Sequence, residues 1–337
     1  MTAPSAGVGV GRFRLEFAAD IDDALQQQVI GLLEAWAIPE ITGEMQVSRL
    51  AGGASNVNLK LTSSRNSYAL RVCMPESARW GVQRAAAIQA QCDAAALGVA
   101  PSIIASDLDE GHFLSTFVEG TVLTPELLRS ERLLPEVAKT LRRLNAGTTR
   151  SREFSPFVDM RTFVEFGSAE HAPQPVGLDE MLARAFRIEA LFKNRAVPRA
   201  FCHSDLVPQN FLLSNDGFRL VDFDYAGEGW VAFEMASFSC QAGLDPTETE
   251  EFLISYDPEV DEGQRARVEL MRLVAGVREA AWATMAEPIL GSQTTPMPGW
   301  TYPGYANANL VQAANVVALG LDELFDAARI VQPGARF

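Results

Sequence analysis

The sequence predicts an α+β protein with two lobes, a small antiparallel-sheet lobe at the N-terminus and a larger, mainly helical lobe at the C-terminus. The chain has 337 residues, 47% of them hydrophobic, which is enough for about two cores. Short β-prone segments end near residue 117, and helical periodicity dominates from about residue 124. We therefore predict lobes at 1–117 and 118–337, with a ligand-binding cleft between them.

The N-terminal lobe is predicted to begin with a helix and continue as a meander of strands. Residues 1–12 are small and Gly-rich, and we expect them to be mobile. Apolar residues at helical intervals predict a helix over 21–36, with Asp20 placed to cap it. The other elements predicted here are strands at 45–50, 57–62, 67–73, 102–106 and 112–117 and a helix at 79–97 that ends at Gly98.

The C-terminal lobe is predicted to consist of helices interrupted by one hairpin. The hairpin covers 211–223, and the stretch 288–305 has Pro or Gly every few residues and is predicted to be a loop. Helical periodicity marks residues 125–145, 176–194 and 264–286.

Composition excludes several classes of function. The 43 acidic and 28 basic residues give a net charge of −15, which argues against a nucleic-acid partner. The acidic balance favours solubility, or attraction of a cationic small molecule or Mg²⁺. The four cysteines form no closely spaced pair, so we expect free thiols in a reducing compartment. Every apolar stretch is interrupted before about 18 residues, and no signal pattern is present, so a cytoplasmic protein with no membrane partner is expected.

The segment 201–227 (FCHSDLVPQNFLLSNDGFRLVDFDYAG) has the strongest chemical signal. A three-residue turn at 215–217, with Gly217 in the left-handed position, predicts a hairpin that places Asn210 opposite Asp222, Cβ atoms about 5 Å apart. Two such oxygen-bearing side chains suit a divalent cation. Asp205 lies in the preceding loop, where a carboxylate can accept a proton from an attacking hydroxyl. These are the parts of a phosphoryl-transfer site.

The runs H-S-D-L-V-P-Q-N (203–210) and V-D-F-D-Y-A-G (221–227) resemble the catalytic loop and metal segment of the choline/ethanolamine kinases, within the wider aminoglycoside-phosphotransferase group. The resemblance implies a two-lobed, protein-kinase-like fold that uses ATP and Mg²⁺. It implies Asp205 as the catalytic base and His203 as the residue that braces the catalytic loop. The implied Mg²⁺ ligands are Asn210 and Asp222.

Three segments of the N-terminal lobe also resemble parts of this group. In the strand S-Y-A-L-R-V-C, Arg71 lies on the face opposite Leu70, where the family places a basic residue over the ATP phosphates. Phe117–Gly120 resembles the connector between lobes, whose backbone, including that of Glu119, would contact adenine. The turn L-A-G-G-A-S-N resembles the family's phosphate-covering turn, and its implied nucleotide contacts are Gly52, Gly53, Ser55 and Asn56.

The chain departs from the family pattern at two positions. Relatives carry a Glu three residues after an Arg in the following helix, to pair with the strand's basic residue, but here that position is Ala87. Glu76 or Asp93 are the candidate substitutes, unless phosphates alone hold the basic residue. The second departure is milder, because Glu234 stands where relatives have Asp.

The acceptor is predicted to be a small, cationic alcohol such as choline or ethanolamine, because aromatic faces and carboxylates suit a quaternary ammonium. Asp224, Tyr225 and Trp282 are the predicted substrate contacts. The alternatives are a kinase for an aminoglycoside or another amino alcohol, and a nucleotide-binding module with little catalysis. Further aromatic candidates in this lobe are Trp230, Trp300, Tyr302 and Tyr305.

Overall fold

A seven-stranded sheet forms the frame of the N-terminal lobe. Its strands are β1 (Val8–Val10), β2 (Phe13–Phe17), β3 (Gly43–Arg49), β4 (Asn56–Thr62), β5 (Ser67–Cys73), β6 (Ile103–Ser106) and β7 (Phe113–Thr116). They lie in the order β1-β2-β3-β4-β5-β7-β6, antiparallel except where β2 runs parallel to β3. The computed structural model describes residues 8–10, 12–50, 56–75, 81–193, 197–291 and 300–329.

The first strands of this sheet correct the prediction of a mobile segment over residues 1–12. Val8–Val10 form β1 and pair with β2, whereas residues 1–7 and 11 lie outside the described residues. The three residues of β1 give no periodic signal in the sequence. Their strand structure is explained by pairing with β2. β2 buries the side chains of Phe13, Leu15 and Phe17 on one face of the sheet, and the backbone along its edge pairs with β1.

Two helices of the N-terminal lobe agree with the prediction in type but begin later. Helix α1 (Asp23–Trp36) is capped by Asp22, whose carboxylate accepts from the Leu25 amide at 2.9 Å, so the predicted cap at Asp20 is wrong. Helix α2 covers Arg84–Ala96 and ends before Gly98, which has a φ of 69°. The predicted helix start at residue 79 lies outside the described residues.

The C-terminal lobe is mainly helical, as predicted. Its helices are α3 (Pro125–Ser130), α4 (Leu134–Asn145), α5 (Pro156–Ala169), α6 (Leu178–Lys193), α7 (Val231–Gln241), α8 (Pro246–Tyr256), α9 (Glu262–Leu290), α10 (Tyr302–Ala318) and α11 (Leu321–Ala328). Its strands are β8 (Thr121–Val122), β9 (Arg199–Cys202), β10 (Phe211–Ser214), β11 (Gly217–Leu220) and β12 (Gly227–Trp230). None of the helices described has both the length and the apolar composition needed to span a bilayer.

Proline positions explain where the predicted helices are wrong. The single helix predicted over 125–145 is two, because Arg132 adopts a φ of 53° and Pro135 starts a new helix in its first turn. The predicted loop over 288–305 is wrong at both ends. Helix α9 continues through Pro288 to Leu290, and Pro303 lies in the first turn of α10. Residues 292–299 lie outside the described residues.

Each lobe has its own hydrophobic core. Helix α1 packs Val29 and Leu33 against the inner face of the N-terminal sheet. The larger core surrounds α9, whose side chains are buried almost along its length. Helix α2 contributes Ala90 and Ala94 to this larger core. Because a helix from before residue 117 packs into the larger core, the lobe boundary between residues 117 and 118 stays a prediction. The two-lobed α+β architecture is confirmed.

Candidate active site

The predicted hairpin is present, but its register differs by one residue. Phe211 pairs with Leu220 and Ser214 with Gly217, so the turn contains two residues, not three. Asn210 therefore lies opposite Val221, whose amide donates to the Asn210 carbonyl at 3.0 Å, and the predicted pairing with Asp222 is wrong. Gly217 has the predicted positive φ, of 96°, but it belongs to β11.

Asp222 follows the hairpin in a left-handed backbone conformation, with a φ of 69°. Such a conformation is uncommon for a residue other than glycine, and it occurs most often at sites where the surroundings enforce it. His203 contributes to this constraint, since its Nε2 lies 2.9 Å from the Val221 carbonyl and its ring packs on Phe223, 4.6 Å between centroids. The loop and the segment after the hairpin are therefore joined on both sides of Asp222.

His203 is fully buried, and burial lowers its pKa to about 4, so the ring is neutral near pH 7. A neutral ring bonded to a carbonyl through Nε2 carries its proton there. The geometry supports the loop-bracing role that the family resemblance implies. Its identification as a catalytic residue stays a prediction.

Glu234, whose role the sequence did not reveal, holds the loop from the other side. Its Oε1 accepts from the amide of His203 and its Oε2 from the amide of Ser204, both at 2.9 Å. Ser204 has a φ of 67°, so this is the turn where the loop changes direction. Burial raises the pKa of Glu234 to about 7, and the two amides oppose that shift. A Glu at this position therefore satisfies two buried donors at once.

Asp205 lies on the braced loop, partly buried and surrounded by charge. Burial is the main cause that raises its pKa to about 8. Arg278 opposes the shift, and three neighbouring acids add to it, namely Glu279, Asp222 and Asp224. The Asn210 amide donates to the backbone carbonyl of Asp205 at 2.9 Å. The structure thus brings the predicted base, the predicted metal ligands and two further acids into one site.

Arg71 reaches this site from β5 and bonds to two carboxylates. Its Nη2 donates to Asp222 Oδ1 at 2.5 Å and its Nη1 to Asp224 Oδ1 at 2.7 Å. Burial alone would lower the pKa of Arg71, but the two carboxylates raise it. Asp93, one candidate substitute for the acid missing at Ala87, instead accepts from Thr149 at 2.9 Å and from other groups away from this site. The other candidate, Glu76, lies outside the described residues.

The remaining nucleotide-binding predictions fall partly outside the described residues. Gly52, Gly53 and Ser55 belong to the segment 51–55, which lies outside them. Asn56, the next residue, is 5% exposed and donates to Asp224 Oδ2 at 3.2 Å. The side chain of Glu119 is exposed and pairs with Lys60 at 3.0 Å, so any contact with a nucleotide there falls to its backbone.

Four aromatic rings from α9, from α10 and from the residue Trp300 just before α10 pack together. Trp300 packs on Tyr302 and Tyr305 at centroid distances of 4.7 and 5.7 Å, and Trp282 lies 5.9 and 6.3 Å from the same two rings. Glu279 accepts from the Tyr305 hydroxyl at 2.9 Å. We call these four rings with Glu279 the aromatic cluster. The charge of Glu279 helps to raise the pKa of Asp205, so this carboxylate is within electrostatic range of the predicted base.

The other predicted substrate contacts have different surroundings. Tyr225 is 8% exposed and its ring faces Arg278, whose guanidinium lies 4.5 Å from the ring centroid. Asp224 has both carboxylate oxygens bonded to Arg71 and Asn56. Trp230 packs between Phe157 and Phe192, at centroid distances of 5.7 Å, and belongs to the core. Substrate contact by Asp224, Tyr225 or Trp282 stays a prediction.

A buried ion network under the site went unpredicted. Arg278 is 2% exposed and donates to Asp159 at 2.9 Å and to Glu279 at 2.7 Å. The sequence signal was the pair Arg278-Glu279 in an otherwise apolar helical segment, since buried charges occur in proteins mainly as pairs.

Relatives and solved structures resemble this chain over most of its length. Protein LicA of Haemophilus influenzae is 27% identical over 210 residues, which is 60% of each chain. The chain spans about 60% of the length of the curated relatives it matches. The structure of a choline/ethanolamine kinase family protein from Mesorhizobium loti has a TM-score of 0.73 at 18% identity, covering 90% of this chain and 98% of that one.

LicA in complex with AMP has a TM-score of 0.68 at 18% identity, covering 90% of this chain and 99% of that one. These likenesses confirm the protein-kinase-like fold predicted from the sequence. The model of the phosphotransferase enzyme family matches residues 46–270, which contain β4, β5, the catalytic loop and the hairpin. The chain belongs to the phosphotransferase enzyme family.

Proposed function

We propose that this protein transfers the γ-phosphate of ATP to the hydroxyl of a small cationic alcohol, such as choline or ethanolamine. The observation that carries the proposal is the position of Asp205. Arg71, Asp222 and Asn210, which suit phosphates and a cation, belong to the same site as Asp205. The carboxylate of Glu279, which is bonded to Tyr305 of the aromatic cluster, also acts on the charge of Asp205.

The nucleotide would bind between the lobes, where Arg71 supplies a fixed positive charge. Arginine forms paired hydrogen bonds with phosphate oxygens and stays charged at any working pH. The relative with AMP bound supports a nucleotide in a fold of this kind. Phosphoryl transfer is catalysed mainly by positioning and by charge stabilisation, which a rigid buried guanidinium provides.

The donor set at Asn210 and Asp222 fits Mg²⁺. The Nδ2 of Asn210 donates to the backbone carbonyl of Asp205. The side-chain oxygen of Asn210 is therefore the atom that can bind a cation. The side chain of Asp222 is 26% exposed, the most accessible of the acids bonded to Arg71. Within the described part of the chain no group of three or more His, Cys, Asp or Glu forms a metal site. Mg²⁺ commonly takes only one or two protein oxygens with substrate phosphates, and when bound it would offset phosphate charge.

Asp205 would orient the acceptor hydroxyl and take its proton. A carboxyl with a pKa of about 8 is matched to proton transfer near neutral pH. A positive charge on the acceptor would favour the ionised, proton-accepting form of Asp205.

The aromatic cluster would hold the cationic end of the acceptor. Quaternary ammonium groups bind over aromatic faces, and a desolvated contact of this kind contributes about 2 kcal/mol. A cluster with four rings and one carboxylate suits a single small cation better than an aminoglycoside, which carries several dispersed amines. The alternative of a non-catalytic module was suggested by the missing acid at Ala87. It is less well supported, because Arg71 has two other carboxylate partners.

A panel of acceptors assayed for ADP release with Mg-ATP tests the proposal. Choline or ethanolamine should raise ADP release well above the hydrolysis background, and the phosphorylated alcohol should appear in equal amount. Preference for an aminoglycoside, or ADP release unchanged by every alcohol, would contradict it. The cytoplasmic location and the absence of nucleic-acid and membrane partners stay predictions.

A further inference from the structure

The two acids bonded to Arg71 differ in their surroundings. The side chain of Asp224 is 7% exposed, and that of Asp222 is 26% exposed. Asp224 also receives a second bond from Asn56, whereas Arg71 is the described partner of Asp222. Asp224 is therefore the more enclosed of the two acids and is bonded to side chains of β4 and β5, whereas Asp222 is the more accessible.

A guanidinium that is 6% exposed requires a permanent acidic partner, because an uncompensated buried charge costs several kcal/mol. The neighbouring helix α2 does not supply one, since its first turn contains no acid and begins Arg84-Ala-Ala-Ala87. Asp222 meets the requirement less well once it holds a cation, because the cation offsets the negative charge that Asp222 presents to Arg71. Asp224 is the remaining acid bonded to Arg71 among the described residues.

We propose that Asp224 is the positioning residue of Arg71, in place of a contact with the acceptor. Asp224 fixes one edge of the guanidinium through Nη1, which leaves Nη2 free to exchange Asp222 for a phosphate oxygen. The same carboxylate accepts from Asn56, the first residue of β4. The inference rests on the proposed function in one respect, that Arg71 binds the phosphates of ATP.

Asp224→Asn tests this role, because it keeps the shape of the side chain and removes its charge. The dissociation constant of Mg-ATP, measured by calorimetry without an acceptor, should rise about tenfold or more, the usual effect of losing a charge-assisted hydrogen bond. The KM for the acceptor should change by less than about twofold. In an Arg71→Gln background the same substitution should weaken ATP binding little further, since it acts through Arg71.

Asp257→Asn is the matched control. Asp257 is also buried, at 5% exposure, and accepts from Gln264 near the start of α9. That point lies on the order of 20 Å along the helix from Arg278. The control should lower the melting temperature and leave ATP affinity unchanged.

Three outcomes would overturn the inference. They are an unchanged ATP affinity in Asp224→Asn, a loss confined to the acceptor KM, and an equally large loss of affinity in the Arg71→Gln background. A wild-type protein that binds ATP but phosphorylates no alcohol would instead contradict the proposed function. In that case the ATP dissociation constants would still decide the role of Asp224.

Discussion

The hydroxyl of Tyr305 donates to the carboxylate of Glu279 at 2.9 Å, and this bond joins α10 to α9. The other carboxylate oxygen of Glu279 accepts from Arg278 at 2.7 Å. Glu279 is therefore fixed in position by partners on two helices, and it is buried, with 8% of its surface exposed. A carboxylate held in this way presents its charge to a cation with little entropic cost.

Replacing Glu279 with Gln should raise the acceptor KM about tenfold or more and leave the KM for ATP within about twofold. The amide keeps the shape of the side chain and removes the charge that attracts the cation. Steady-state kinetics with each substrate varied in turn measures both constants. Glu269→Gln, on the same helix and paired with Arg272, is the control and should change neither. Equal losses for ATP and acceptor would remove Glu279 from the acceptor side.

Replacing Trp282 with Leu should reduce the preference for a charged acceptor over a neutral one. We expect the wild type to discriminate about tenfold between choline and its carbon isostere, in which a tert-butyl group replaces the trimethylammonium. The kcat/KM values of the variant for the two acceptors should lie closer together than in the wild type, because the apolar contact persists and one π face is lost, while Glu279 and the other rings remain. Trp36→Leu, in α1 of the other lobe, should keep the wild-type ratio. A ratio near one in the wild type would contradict the assignment of the aromatic cluster.

Gly276→Ala should destabilise the fold by roughly 1–3 kcal/mol, the usual cost of overpacking. An added Cβ would lie 2.7 Å from the carbonyl oxygen of Asn309, so α9 and α10 would have to separate. Urea unfolding measures the loss. Gly31→Ala in α1 is the control, because its Cβ would meet nothing within 4 Å, and it should stabilise by about 0.5–1 kcal/mol. Equal stability changes for the two variants would show that α9 and α10 do not approach so closely.

His203 should make stability fall as the pH decreases from about 6.5 to about 4. Burial lowers its pKa in the folded state to about 4 from the usual 6.5 of a histidine, so the unfolded state binds more protons in that window. The contribution is fully present above pH 6.5 and amounts to roughly 3 kcal/mol. Urea unfolding across this range, compared with His203→Gln, isolates the effect. The same pH slope in both proteins would contradict a buried neutral imidazole.

Local sequence patterns predicted the elements of the site better than their contacts. The turn residues at 215–217 predicted the hairpin, but a turn of two residues and one of three share the same signal, so the register was wrong by one. Helix periodicity identified 264–286 but not its extension through Pro288, because packing within the core outweighs the local penalty of proline.

Long-range pairs could not be predicted from spacing. Arg71 and Asp224 are 153 residues apart, and Arg278 and Asp159 are 119 apart. The absence of an acid at Ala87 was visible in the sequence, but its replacement depends on how the segment after β11 approaches β5. Only the folded chain fixes that approach.

Asp205→Asn is the most direct measurement of the central claim, that this carboxylate accepts the proton of the acceptor hydroxyl. We expect kcat to fall by about a hundredfold or more, since general-base catalysis contributes about 10²–10⁴-fold, while the dissociation constant of Mg-ATP stays within about threefold. Turnover close to that of the wild type, in a variant that still binds ATP, would contradict the account.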